Sequence, residues 1–347
     1  MTSAPKLTAA PKLVIGANGF LGSHVTRQLV ERGADVRVMV REGAKTMGID
    51  DLAVQRFYGD MFDTEVLREA MTGCDDVYYC VVDTRAWLRD PSPLFRTNVE
   101  GTRSVLEVAR SMDLRRFVFT SSYVTIGRRR GHVANEQDTL RWHRSLGPYA
   151  LSRLQAEELV LRYADEHGVP AVAMCVSTTY GGRDWNMTPQ GAMVAGAAFG
   201  KVPFMMDGIR LEAVGVDDAA EALILAAEHG RNGARYIVSE KMVANADLVR
   251  LAAEESGAAV PRRTVSIPML YGMAVMGSVK ARLRGTPERL TLRSLRLMRA
   301  ESEVDHSKAV SELGWRPKPV EESIRAAARF WVEMRAAKRK AKAAQPD

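Results

Sequence analysis

Cysteine is scarce in this chain: three residues, Cys74, Cys80 and Cys175, none in a Cys-x-x-Cys pair. That spacing excludes a disulfide framework and a zinc site, and points to a reducing, cytoplasmic compartment. Long apolar runs are lacking too. No stretch of about 18 uninterrupted apolar residues occurs and the first residues carry no signal pattern, so neither a membrane span nor secretion is expected. There is no Gly-x-Ser-x-Gly elbow, which removes serine-hydrolase chemistry. His132, His143 and His167 have no metal-ligand spacing, so no metal is expected. The formal charge is +7, yet no basic patch is interleaved with aromatics, and a nucleic-acid partner is not indicated. Much of the excess is local, in Arg128-Arg129-Arg130 and in a basic tail from 333 to 347. The tail reads as a solvated extension of the last helix, with weak contact to an anionic membrane as its alternative.

What is present is a chain of 347 residues, 46% hydrophobic, enough for a large core or two lobes. Ala4-Pro5-Lys6-Leu7 is echoed by Ala10-Pro11-Lys12-Leu13, so residues 1–11 read as a disordered lead-in. From there short β-rich runs (13–15, 35–40, 54–58, 77–82, 116–120, 171–176) alternate with amphipathic helical stretches to Arg32, over 64–72, to Ser111 and from Tyr149 to His167. This alternation predicts an α/β fold with a doubly wound parallel sheet over 12–184. Segments at about 211–238 are expected to return to it. Residues 185–332, less regular, are expected to form mainly a smaller mixed substrate lobe. Within it Pro268 to Val279 is Met-rich and apolar; packed interior or a dimer surface is favoured there over a flexible lid.

Gly16-Ala17-Asn18-Gly19-Phe20-Leu21-Gly22 follows the strand Lys12 to Ile15 and opens a helix. Glycines permit the tight turn and close approach of backbone to a pyrophosphate, and the helix N-terminus favours its charge. At the end of the second strand stands Arg41, where an acid would hold the ribose 2′-hydroxyl of NAD. A guanidinium suits a 2′-phosphate, so NADP is favoured and NAD is the alternative. Gly59-Asp60-Met61, after the third strand, puts a carboxylate within reach of an adenine amino group.

Tyr149 and Arg153 lie four residues apart, on one helix face. A unit positive charge about 4 Å from a phenolate, at an effective dielectric near 20, supplies roughly 4 kcal/mol in its favour. Glu157-Glu158, further along, read as a solvated pair.

The glycine loop, Gly59-Asp60, Asn98-Val99-Glu100-Gly101-Thr102, Phe119-Thr120-Ser121-Ser122, Tyr149 and the closing Asp305 to Pro317 occur in the order seen in extended short-chain dehydrogenases/reductases. Over about residues 12–332 the chain resembles that superfamily. Asp83 to Pro91, Tyr180 to Asp184 and Val216-Asp217-Asp218 are most similar to its dihydroflavonol-reductase and hopanoid-associated epimerase branch. The resemblance implies a Rossmann domain, an NAD(P) cofactor and a small-molecule substrate, and a homodimer is expected. It implies that Ser122 hydrogen-bonds the substrate oxygen and that Tyr149 exchanges the proton as hydride moves.

The family's lysine four residues after the tyrosine, which binds the nicotinamide ribose, is here Arg153. Three further departures surround the cofactor. Val81-Val82 replaces paired alanines, Ile15 replaces a threonine before the glycine loop, and Val176 replaces a proline near the nicotinamide. Three functions are therefore carried forward. The first is an NADP-dependent oxidoreductase acting on a carbonyl or secondary alcohol of a fairly apolar molecule. The second is a sugar-nucleotide epimerase or dehydratase, with Arg183, Arg210 and Arg282 as candidate diphosphate donors. The third is a non-catalytic dinucleotide-binding protein.

Overall fold

A computed structural model describes residues 10–127, 131–140, 147–284, 292, 295 and 303–343. The expected lead-in up to residue 9, the Arg128 to Arg130 run, His143 and the side chain of Arg282 lie outside what is described. Strands β1 (Lys12–Ile15), β2 (Val36–Val40), β3 (Gln55–Tyr58), β4 (Asp76–Tyr79), β5 (Arg116–Ser122) and β6 (Ala171–Val176) build the first part of the chain. Helices α1 (Phe20–Glu31), α2 (Thr64–Met71), α3 (Ser92–Phe95), α4 (Gly101–Ala109) and α5 (Pro148–Glu166) connect them, with a π-helical turn at Arg96–Glu100.

The second part holds β7 (Thr178–Tyr180), α6 (Pro189–Ala198), β8 (Met205–Met206), β9 (Arg210–Gly215) and α7 (Val216–His229). It continues through β10 (Arg235–Val238), β11 (Lys241–Ala244), α8 (Asn245–Glu255), β12 (Thr264–Val265), α9 (Ile267–Arg284), α10 (Ser307–Leu313) and α11 (Val320–Ala343).

Among the described residues the main sheet is parallel, in the order β10-β6-β5-β4-β1-β2-β3. The central strands β4 and β6 are buried at every position, as a parallel sheet covered on both faces requires. Alternate residues face opposite layers. Val14, Val38, Val118 and Val172 pack with Val25 and Leu29 of α1 and Ala219 and Leu223 of α7. Leu13, Met39, Val77 and Phe117 pack with Leu67 of α2, Val105 of α4 and Leu159 of α5. Ala309, Leu313 and Trp315, far later in the chain, also enter the first of these layers.

Strand β4 ends at Tyr79, three residues before the expected Val82. Cys80 still donates to Ile15 O, but beyond it the chain leaves the ladder as Val81 passes over Gly16. The second lobe has its own layers. The sheet β11-β9-β7 packs with α6, α8 and α11, and the small β12-β8 pair packs with α9.

Candidate active site

The site forms along the carboxyl ends of β1, β4, β5 and β6. Gly16 has φ +84, and a Cβ there would stand 2.9 Å from Val81 Cγ2. A Cβ on Gly22 would fall 2.3 Å from Gly16 O, so α1 can start this close to the turn only with glycine at that position. Gly19 donates to Gly16 O (3.0 Å) and caps α1 with no side chain, and the first turn carries no acid. The positive end of the helix is thus left uncompensated, as an anion site requires.

Asn18, Phe20 and Leu21 complete this loop, and Asn186 donates to Asn18 O from the segment after β7 (2.7 Å). That segment is strained, with Arg183 at φ 60 and Met187 at φ 50. It is anchored by Asp184, whose carboxylate accepts from Thr188 N and Thr188 Oγ1. Burial pushes the Asp184 carboxyl up, against those bonds.

At the end of β2, Gly16 donates to Met39 O, so Arg41 follows directly beside the loop. Arg41 is exposed, and among the described residues no hydrogen bond or ion pair holds its side chain. Asp60 is exposed and accepts from Phe62 N (3.2 Å), while Met61 fills the space that a Cβ on Gly101 would occupy. Val81 is half-buried beside Gly16, whereas Val82 is 37% exposed.

Two strands across from β1, about 10 Å at normal strand spacing, β5 ends in Ser122, in register with Val176 of β6. Ser122 and Val176 are both buried. Tyr149, half-buried in the first turn of α5, packs with Tyr123, Val124 and Leu140. Its turn is fixed by a buried chain of hydrogen bonds. Asn98 Nδ2 donates to Asp83 O and to Ser152 Oγ (3.0 Å each), and Ser152 Oγ donates to Tyr149 O (2.8 Å). Asn98 also accepts from Asp83 N (2.8 Å), so one amide ties the loop after β4 to the start of α5. The π-helical turn that carries it is the kind of irregularity that accompanies functional sites.

Arg153 is 1% exposed. Its guanidinium lies over the Phe119 ring, 5.2 Å from the centroid, and Nη2 donates to Thr120 O. Nε and Nη1 are buried without a hydrogen-bond partner. Burial pulls this guanidinium's pKa down, and the nearby Tyr149, Tyr79 and Glu157 act against that.

Glu157, expected to be solvated, is instead 2% exposed; only Glu158 faces solvent. Glu157 is the third member of the row Tyr149, Arg153, Glu157, spaced by four and turned into the core. Its Oε2 accepts from Ser121 Oγ and lies 2.9 Å from Thr125 Oγ1 and 3.3 Å from Cys175 Sγ. Its Oε1 lies 2.9 Å from Arg235 Nε, an ion pair whose N–H does not point along the contact. The carboxylate therefore pairs with the largely buried Arg235, its oxygens are taken up by Ser121, Thr125 and Arg235, and its charge also favours the charged form of Arg153. Arg153 keeps two free donors. Such donors buried near the carboxyl end of β5 fit the hydroxyls of a cofactor ribose, and the cradle at Gly16 and Gly22 fits a pyrophosphate.

A profile of the NAD dependent epimerase/dehydratase family matches residues 12–239. The chain belongs to that family. It is an NAD(P)-dependent oxidoreductase of the extended short-chain dehydrogenase/reductase type. A putative dihydroflavonol 4-reductase of Synechocystis sp. is 29% identical over 309 residues, 87% of this chain and 88% of the relative. Sterol demethylase protein B of Methylococcus capsulatus is 28% identical, covering 88% of this chain and 93% of its own. The crystal structure of gox2253 superposes with a TM-score of 0.82 at 32% identity, covering 94% and 98% of the two chains.

Among the described residues, His132, His167, Arg183 and Arg210 do not come together in this epimerase/dehydratase-family fold. His132 pairs with Asp138 (2.8 Å) and His167 meets the Tyr163 ring edge-on. Arg210 is exposed and pairs with Glu303 (3.6 Å), while Arg183 is exposed in the strained segment. Sequence reasoning left Asn98 and Asn186 without roles and misjudged Glu157. For Glu157 a signal existed in its spacing from Tyr149. For Asn186 there was none.

Proposed function

We propose that this oxidoreductase interconverts a carbonyl and a secondary alcohol on a fairly apolar small molecule, with NADP as its cofactor. The observation that carries the reading is Arg153, a buried cation with two unpartnered N–H donors one helical turn from Tyr149. In this reading the loop Gly16, Asn18, Gly19, Phe20, Leu21 and Gly22 holds the pyrophosphate. Arg41 meets a 2′-phosphate, Asp60 and Met61 border the adenine, and Val81 and Val176 line the dinucleotide. Arg153 donates Nε–H and Nη1–H to the nicotinamide ribose. When bound, the nicotinamide supplies or accepts the hydride.

Ser122 Oγ donates to the substrate oxygen and orients it. Tyr149 gives its phenolic proton to that oxygen in reduction and takes it back in oxidation. The soluble chain is assigned to the cytoplasm and to a homodimer. An apolar substrate is supported by relatives whose names specify a dihydroflavonol, a sterol or a farnesylated quinoline.

Titrating NADPH and NADH against the wild type and Arg41→Ala by fluorescence, then following NADPH absorbance with a panel of apolar ketones, tests the reading. Tighter binding of NADPH and Tyr149-dependent oxidation with a ketone are expected. NADPH binding without turnover on any ketone or alcohol would return the chain to the non-catalytic alternative. A tightly retained oxidised cofactor would favour the epimerase.

A further inference from the structure

We propose that the exposed face of α9 docks on an anionic lipid bilayer, lying along the surface, and that this gives the second lobe access to apolar substrate held in lipid. The last clause rests on the reductase reading above; the docking itself does not.

Helix α9 is two-sided. Leu270 and Ala274 are buried against Ile209 and Val265, so one face closes the β12-β8 corner of the second lobe. On the other face Met269 is 59%, Val275 47% and Met276 67% exposed, and Pro268 and Gly272 are exposed with them. These positions share one arc of the helix. Of the two expectations for this segment, packed interior describes Leu270 and Ala274 and does not describe Met269, Val275 and Met276.

Its charge is one-signed. From Ser256 through Pro287 the chain has no Asp or Glu and five basic residues: Arg262, Arg263, Lys280, Arg282 and Arg284. Arg262 and Arg263 are exposed just before α9, and the other three fall in its last two turns. Apolar side chains on an outward arc with cations at both ends of the helix complement the anionic interface of a bilayer. No described helix is long and apolar enough to cross a membrane, so the contact is peripheral. Three exposed side chains are far short of the roughly 800 Å² per partner that a stable protein interface buries, and five like charges would oppose close approach of a second copy.

The test uses the full chain and vesicles without substrate. Flotation with vesicles of phosphatidylglycerol and phosphatidylcholine should carry the wild type, and pure phosphatidylcholine or about 0.5 M salt should reduce the bound fraction several-fold. The combined variant Met269→Ser, Val275→Ser, Met276→Ser should partition at least tenfold less while binding NADPH as the wild type does. Equal partitioning of variant and wild type would overturn the proposal in favour of the basic tail alone. Absence of partitioning, or a dimer that the variant converts to monomer, would overturn it as well. Should the combined variant not fold, Met276→Trp supplies the answer: its fluorescence should shift to the blue on anionic vesicles and be quenched by brominated lipid, and an unquenched spectrum overturns the proposal. Turnover of soluble ketones is measured separately, so failure of docking leaves the reductase reading standing, and the reverse.

Discussion

Arg41 and Arg153 are both cations at the proposed cofactor site, and they are held in opposite ways. Arg41 stands in solvent just past the end of β2, with no partner among the described residues. Arg153 is fully enclosed, pinned by Thr120 O and the Phe119 ring, with Tyr149, Tyr79 and Glu157 acting against the cost of its burial. A solvated charge acts through a screened field and is replaceable at little structural cost. A buried one is defined by its surroundings, and its surroundings depend on it. The cofactor end built from Arg41 should tune affinity, whereas the end built from Arg153 should govern chemistry and folding together.

The largest effect is expected at the buried end. Tyr149→Phe should lower kcat by roughly 10²–10⁴-fold with NADPH affinity unchanged, whereas Arg153→Met should lower kcat and weaken NADPH binding as well. Steady-state kinetics beside fluorescence titration separate the two. If Arg153→Met left both untouched, the contrast with Arg41 would collapse. Next comes Glu157→Ala, which removes the ion-pair partner of the largely buried Arg235 and a negative charge near the buried Arg153. A loss of about 3–5 kcal/mol in denaturant unfolding is expected, and a loss below 1 kcal/mol would mean that water reaches the pair.

A third experiment asks whether burial without sufficient compensation behaves differently again. Burial raises the Asp218 carboxyl to about 6, outweighing the opposing effects of Lys318. The folded state therefore binds the proton more tightly than the unfolded chain does. Its contribution is fully present below pH 3.8 and is lost as pH rises through about 6. Relative to Asp218→Asn, the wild type should lose roughly 2–3 kcal/mol between about pH 4 and pH 7. Unfolding curves of both proteins across that range decide it, and parallel curves would remove Asp218 from the set of uncompensated charges.

The smallest effect belongs to the exposed end. Arg41→Ala should weaken NADPH about tenfold, leave NADH unchanged and leave the melting temperature within error. Raising salt should shrink the NADPH preference of the wild type and not that of the variant.

Much of this was legible before the fold was known. The glycine loop announces itself because backbone sterics at Gly16 and Gly22 are local consequences of a strand turning tightly into a helix. The parallel sheet follows from apolar runs alternating with amphipathic ones. The strand end at Tyr79 was missed because Val81 and Val82 look like strand residues, while the close pass of Val81 over Gly16 is a meeting of distant segments. Glu157 was misread because an adjacent pair of acids resembles a helix surface. Its spacing from Tyr149 hinted otherwise, but its partner Arg235 is 78 residues away and reaches it only through the adjacency of β10 and β6.

By itself the sequence determined the local devices: the phosphate cradle, the alternation that dictates a doubly wound sheet, and the four-residue spacing that puts Tyr149 and Arg153 on one face. These depend on backbone geometry over a few residues. Only the tertiary structure decided that Arg153 is buried with Nε and Nη1 unpartnered, that Glu157 turns inward one helical turn away, and that Met269, Val275 and Met276 of α9 are exposed. Burial and charge compensation are set by which distant segments come together, and that information is spread over the whole chain.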